Sequence, residues 1–105
     1  MFQLRIYTLR TPRALQQYAA VHWARHVVTF PCFGVHTHGV WTESDGDAHR
    51  LVALISFRRD ADPGRITGEV MASAEFAADM AGFDADDIVA VQTMLLDPAT
   101  CSPLH

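Results

Sequence analysis

Phe2-Gln3-Leu4-Arg5-Ile6-Tyr7-Thr8-Leu9-Arg10-Thr11-Pro12-Arg13 contains the change of period on which the fold turns. Up to Leu9 the pattern alternates, with Phe2, Leu4, Ile6 and Thr8 on one face and Gln3, Arg5, Tyr7 and Leu9 on the other. Side chains alternate across a strand, and β-branched and aromatic residues favour one, so the segment predicts a β-strand. Thr11 then offers an N-cap hydroxyl. Pro12 suits the first helical position, where its missing N–H needs no partner. From Arg13 to about Thr29 the pattern is helical, and Leu15, Ala19, His22, Trp23, His26 and Phe30 recur at threes and fours. Pro31 and Gly34 end the helix.

Further along, Val35 to Thr42 predicts a second strand, and the polar loop Glu43 to Ala48 carries the hairpin signal Asp45-Gly46. His49 to Phe57 predicts a third strand buried on both faces, with Leu51, Ala53, Ile55 and Phe57 opposing Val52 and Leu54. A short helical stretch covers Arg65 to Met71. Ser73 then caps a second helix to about Ala81, whose apolar stripe is Phe76, Ala77 and Met80 and which Gly82 terminates. Asp86 to Leu96 predicts a fourth strand, apolar on both sides.

No repeat, low-complexity segment or linker divides the chain, so residues 1–105 read as one domain. The order β-α-β-β-α-β is that of the α+β, ferredoxin-like arrangement: a four-stranded antiparallel sheet with two helices on one face. The uncovered face is apolar too, which predicts a homodimer formed sheet against sheet.

Composition narrows the function classes. With 105 residues, 50% of them hydrophobic and 19% charged, the chain is neither disordered nor a charged coiled coil. Its basic residues are all arginine, and the formal charge of −4 lacks the surplus a nucleic-acid partner demands. Cys32 and Cys101 show no C-x-x-C spacing, so a reduced, cytoplasmic protein is expected, with Cys32 a small buried residue. No secretory signal is read at the N-terminus, and the apolar runs are too short to span a bilayer. A soluble chain without a membrane partner follows. Glu69, Glu75, Asp79, Asp84, Asp86 and Asp87 read as a solvated acidic surface.

Three stretches resemble a known family. Gln3-Leu4-Arg5-Ile6-Tyr7-Thr8-Leu9 is similar to the E-L-R-x-Y-x-L strand of the NIPSNAP-type branch of the dimeric α/β-barrel superfamily, with Gln3 where Glu is usual. Gly39-Val40-Trp41-Thr42-Glu43, followed by Gly46-Asp47, resembles the family's segment before the hairpin. Met94-Leu95-Leu96-Asp97-Pro98 through Ser102-Pro103-Leu104 resembles its last strand and tail. The resemblance covers nearly the whole chain. It implies a dimeric ferredoxin-like fold with a pocket between helices and sheet. It leaves the reaction open, because the superfamily includes cofactor-free monooxygenases, cyclases, isomerases, dehalogenases, haem enzymes and proteins of unassigned role.

The candidate chemistry lies in the histidines, of which there are six. His22 and His26 share a helix face, and His36 and His38 share a strand face. The first reading is a convergent cluster lining the helix–sheet pocket and moving protons near neutral pH. The second places His36 and His38 at the dimer face or in water and makes His22 and His26 structural. The third is a divalent metal held by the H-x-x-x-H and H-x-H pairs. Trp23 stands where a zinc protease has the glutamate of H-E-x-x-H, so that motif fails.

Tyr18 is a candidate phenol donor to a substrate oxygen. Trp23 and Trp41 are candidate walls for a flat substrate, and Arg5 and Tyr7 are candidate ligand contacts. Nucleotide- and flavin-binding motifs are absent. The leading expectation is a small cofactor-independent enzyme of the kind found in secondary metabolism. It would act on an apolar or aromatic carbonyl compound by isomerisation, cyclisation, dehydration or oxygenation. The alternatives are a non-catalytic dimeric ligand-binding or interaction protein and a histidine-ligated metal protein.

Overall fold

A computed structural model describes residues 1–105. The opening strand, β1 (Phe2–Leu9), lies in the interior of a four-stranded antiparallel sheet. β2 (His36–Thr42) and β3 (Arg50–Ser56) form a hairpin, and β4 (Ile88–Leu96) pairs with the other side of β1. The order β2-β3-β1-β4 is the ferredoxin-like one.

Register decides which residues face the helices. Arg5 lies opposite Ala53 and Thr93, and Leu4 lies opposite Leu54 and Met94. Gln3, Tyr7 and Leu9 are buried on the helix side together with Leu51, Ala53 and Ile55, the last three at 0% exposure. Val52 and Leu54, on the opposite face, are only half-buried. The edge strand β4 is largely exposed on both sides, so it frames the helix-side core without being enclosed by it.

The first helical segment differs from expectation. Thr11 caps α1 (Pro12–Gln17), accepting from the Ala14 amide at 3.0 Å, and α2 spans Trp23–Thr29. Between them Tyr18–His22 form a π-helical turn, in which the Trp23 N–H reaches the Tyr18 carbonyl. The cause is visible in the buried positions Ala14, Tyr18, His22, His26 and Phe30, which recur at every fourth residue. On a regular α-helix each such step drifts by about 40°, so the row would rotate by about 160° over its length. A wide turn that takes up one extra residue keeps the row facing the sheet. A 3₁₀ turn at Phe30–Phe33 follows, and Gly34 closes it with a left-handed φ of 76°.

α3 (Pro63–Met71) begins earlier than the expected Arg65, because Asp62 caps the Gly64 and Arg65 amides and Pro63 occupies the first position. α4 (Ala74–Met80) is capped by Ser73 as the sequence suggests, but Ala77 is exposed and Asp79 takes the inward position. A 3₁₀ turn at Ala85–Asp87 delays β4 to Ile88. The β2–β3 connection is too long for a two-residue turn, and its left-handed residue is His49 (φ 54°), not one of Asp45-Gly46. Cys32 is exposed on its 3₁₀ turn, correcting the expectation of burial. No helix is long and apolar enough to cross a membrane.

Candidate functional site

Between the sheet and the helices lies a cavity of about 490 Å³. Its floor is the helix-side face of β1 (Gln3, Arg5 and Tyr7) continued by Val91 and Thr93 of β4. Thr67 and Val70 of α3 and Phe76 and Met80 of α4 form one wall. Tyr18, His26 and Phe30 form the inner end. Apolar walls with a few converging polar groups are what a small-molecule site requires.

His26 is 1% exposed and lies between two parallel rings, Phe30 at 4.9 Å and Phe76 at 5.2 Å between centroids. The indole of Trp23 meets it edge-on at 5.2 Å. Its Nδ1 lies 3.0 Å from Oδ2 of Asp79. A carboxylate can only accept, so Asp79 fixes the proton on Nδ1 and leaves the Nε2 lone pair without a protein partner. Burial is the larger influence on this imidazole and lowers its pKa; the hydrogen bond and charge of Asp79 act in the opposite direction. His26 is therefore neutral near pH 7 and has a free basic nitrogen.

Asp79 holds this geometry. Its other oxygen accepts from Thr29 Oγ1 at 3.0 Å, and its backbone carbonyl accepts from His22 Nδ1 at 2.8 Å and Arg25 Nη1 at 3.1 Å. Arg25 also binds the Ala81 carbonyl, so a cation closes the C-terminal end of α4, where the helix dipole favours one. Asp79 was expected on a solvated acidic surface; it is buried because α4 turns it inward beside Phe76 and Met80. The available signal was its position three residues after Phe76 and one before Met80.

His22 is equally buried but plays a different part. Its Nδ1 donates to the Asp79 carbonyl, and its Nε2 accepts from the Gln17 amide at 3.1 Å. Gln17 also donates to the Gly82 carbonyl at 3.0 Å. Both nitrogens of His22 are occupied, Nδ1 in fastening the π-helical turn to α4 and Nε2 by Gln17 of α1. It does not line the cavity.

His36 and His38 lie on the far side of the sheet. His36 pairs with Ser56, and a bulge between Thr37 and Gly39 displaces His38 toward the same face, where its Nε2 meets Ser56 Oγ at 2.8 Å. The ring of His38 is 5.0 Å from Phe2 and 4.7 Å from His36. Desolvation, then the neighbouring His36, lowers the pKa of His38. The expected convergence of four histidines on one pocket is therefore corrected: the sheet separates the pairs, and His26 alone lines the cavity. The four imidazoles do not meet at one point, and no group of three or more His, Cys, Asp or Glu side chains is placed to hold a metal ion.

Among the other candidates, Tyr18 lines the cavity with its pKa raised by burial, so it stays a phenol and a donor. Tyr7 packs edge-on against it at 5.4 Å. Arg5 is half-buried and donates from Nε to Gln3 Oε1 at 2.7 Å and from Nη2 to Thr67 Oγ1 at 3.0 Å. Trp23 is a core residue behind the cavity wall, 1% exposed, set edge-on to Tyr7, Tyr18 and His26. Trp41 is 55% exposed on the open sheet face, its indole lying across Gly39 where a Cβ would strike the ring. It therefore walls no helix-side pocket. Gln3 and Thr67, which hold Arg5, were not among the sequence candidates.

The model of the NIPSNAP family matches residues 2–103. No curated protein matches the chain. Among solved structures, an uncharacterised NIPSNAP-like domain protein from Burkholderia xenovorans is 24% identical, with a TM-score of 0.72 over 97% of this chain and 87% of that one. A NIPSNAP family protein of unknown function from Agrobacterium tumefaciens is 19% identical, with a TM-score of 0.79 over 99% and 92%. A second NIPSNAP family protein from Agrobacterium tumefaciens is 18% identical, with a TM-score of 0.78 over 99% and 97%. At these identities the likeness establishes the shared fold.

Proposed function

The chain belongs to the NIPSNAP family, and from that premise we propose that its helix–sheet cavity is an acid–base site for an apolar or aromatic carbonyl compound. The observation that carries this reading is His26, oriented by Asp79 through Nδ1 while Nε2 stays free at the cavity. In the proposed step, Nε2 removes a proton from the carbon next to the carbonyl group. The electron pair of that C–H bond moves into the C–C–O system to give an enolate. The Tyr18 hydroxyl donates a hydrogen bond to its oxygen, and protonated His26 returns the proton to carbon or oxygen. Enolate formation is the step shared by isomerisation, cyclisation, dehydration and cofactor-independent oxygenation, so one constellation serves each without an organic cofactor.

Asp79 is a positioning residue in this scheme, and the Phe30–Phe76 sandwich keeps the imidazole in one plane. His22 has no part in it, and neither have His36 and His38. The reading includes a homodimer through the open sheet face, supported by Trp41 and Met94 lying exposed there beside half-buried Leu4, Ile6 and Leu54.

The test is exchange of the protons next to the carbonyl of benzylacetone in heavy water, followed by proton NMR. The wild-type protein is expected to accelerate exchange, His26→Gln to lose the acceleration, and His36→Ala to keep it. Wild-type-like exchange in His26→Gln removes the acid–base reading. A ligand that binds without exchange leaves the non-catalytic binding protein in its place.

A further inference from the structure

We infer that the cavity takes an anionic ligand, an organic carboxylate whose charged group docks on Arg5, so that keto acids are preferred to neutral ketones. This rests on the cavity being a ligand site, as proposed above, but not on His26 being a base.

Seven of the eight arginines are exposed, and Arg5 alone is half-buried. Arg10, Arg50 and Arg65 pair with Asp87, Glu43 and Glu69. Arg25 caps backbone carbonyls at the end of α4. Arg5 has no carboxylate partner. Its three hydrogen-bond acceptors, Gln3 Oε1, Thr67 Oγ1 and the Tyr7 hydroxyl at 3.4 Å, are all neutral. No Asp or Glu lines the cavity.

A guanidinium cannot shed its proton in a protein, so burial leaves the charge in place and uncompensated. Partial desolvation of an unpaired cation is unfavourable, and it is relieved most directly by an anion brought to it. Arginine has five N–H donors; with three engaged, each terminal nitrogen keeps one hydrogen without a protein acceptor. Two free hydrogens match the two oxygens of a carboxylate.

The neutral partners also explain how the charge is held. Gln3 Oε1 takes the Nε hydrogen at 2.7 Å. A glutamate there would neutralise Arg5 internally, whereas the amide oxygen orients the same fork and leaves its charge for the ligand. Thr67 ties the fork to α3, so the cation is fixed to the cavity wall. The rest of the lining, with Val70, Phe76, Met80 and Val91, is apolar and suits an alkyl or aryl body. A carboxylate at one end and an apolar chain reaching toward Phe30 and Phe76 would put the middle of the ligand beside Tyr18 and His26.

Isothermal titration with the matched pair hydrocinnamate and hydrocinnamamide isolates the charge, since the two have the same shape. The wild-type protein is expected to bind the carboxylate at least about tenfold more tightly, the increment of a charge-assisted pair over a neutral one. Arg5→Gln is expected to remove that preference while still binding the amide, which also shows that the variant is folded. Arg5→Lys should keep part of it. Should Arg5→Gln not fold, the salt dependence of the wild-type protein decides: added salt should weaken hydrocinnamate and leave hydrocinnamamide unchanged.

Equal affinities in the wild type, or an undiminished preference in Arg5→Gln, overturn the anion inference alone. Binding of neither probe overturns the ligand site with it. His36→Ala, on the other face of the sheet, should bind hydrocinnamate as the wild type does. If binding persists while the wild-type protein exchanges the carbonyl-flanking protons of neither benzylacetone nor 2-oxo-4-phenylbutanoate, the proton-transfer reading falls and the anion site stands.

Discussion

On the helix side of the sheet, His26 is enclosed by Phe30, Phe76 and Trp23 and is oriented through one nitrogen by Asp79. On the other side, His36 and His38 stand beside Ser56 and Phe2, with no carboxylate bonded to either ring. Both regions present imidazoles, but only the first gives one a fixed tautomer, a dry surround and a cavity to face. What distinguishes His26 is the second group bound to it, not its place in a cluster. His22 sharpens the same point within a single helix: it shares Asp79 with His26 and has both nitrogens occupied.

The strongest way to break the contrast is to remove the ring stack. Phe30→Ala should destabilise the protein by about 4 kcal/mol, through lost burial and the void left beside His26. Urea denaturation checks this, and a loss under about 1 kcal/mol would mean the stack is not part of the core. Asp79→Ala comes next. It strips partners from His26 Nδ1 and Thr29 Oγ1 in the interior and should cost about 3 kcal/mol by the same measurement.

Asp79→Asn separates positioning from stability. The amide keeps the shape but not the charge that raises the His26 pKa, so the acid limb of the exchange rate against pH should shift to lower pH. The rate itself should fall on the order of a hundredfold. An unshifted limb would assign that titration to another group.

The contrast also predicts how stability depends on pH. The folded-state pKa of His26 lies below its ordinary value of 6.5. Between those two values the unfolded chain binds the proton more readily, so stability is full above pH 6.5 and declines as pH falls toward the lowered value. Thermal melts from pH 7.5 to 5 should show this decline, and His26→Gln should flatten it. The smallest effect belongs to the open face. His36→Ala should change stability by no more than about 0.5 kcal/mol, as exposed substitutions do.

Much of the frame can be read from the chain, because alternation in Phe2–Leu9 and Leu51–Phe57 has a direct meaning in a sheet. The caps Thr11, Ser73 and Gly34 are equally local. What could not be read were the non-local choices. Strand parity shows that His36 and His38 share a face but not which face the helices cover, and the bulge at His38 alters the spacing as well. Asp79 looked like one of many surface acids because its partners, His26 and Thr29, come from a helix fifty residues away in sequence. The resemblance of Gln3–Leu9 to a family strand pointed correctly to the family, and it gave no sign that Gln3 and Thr67 hold the Arg5 fork.

The wide turn at Tyr18–His22 has a consequence for how this segment can vary. It contains one residue more than a regular helix needs, so deleting Ala20 would restore an unbroken α-helical ladder from Pro12 to Thr29. The residues after it would keep their present faces, because the wide turn already absorbs the roughly 100° that one residue adds in a regular helix. His26 would stay at the cavity beside Asp79. A residue inserted between Trp23 and His26, where the helix is regular, would instead turn the imidazole about 100° away from Asp79. Loss of a residue is therefore tolerated at the wide turn, and a change of length beyond it is not.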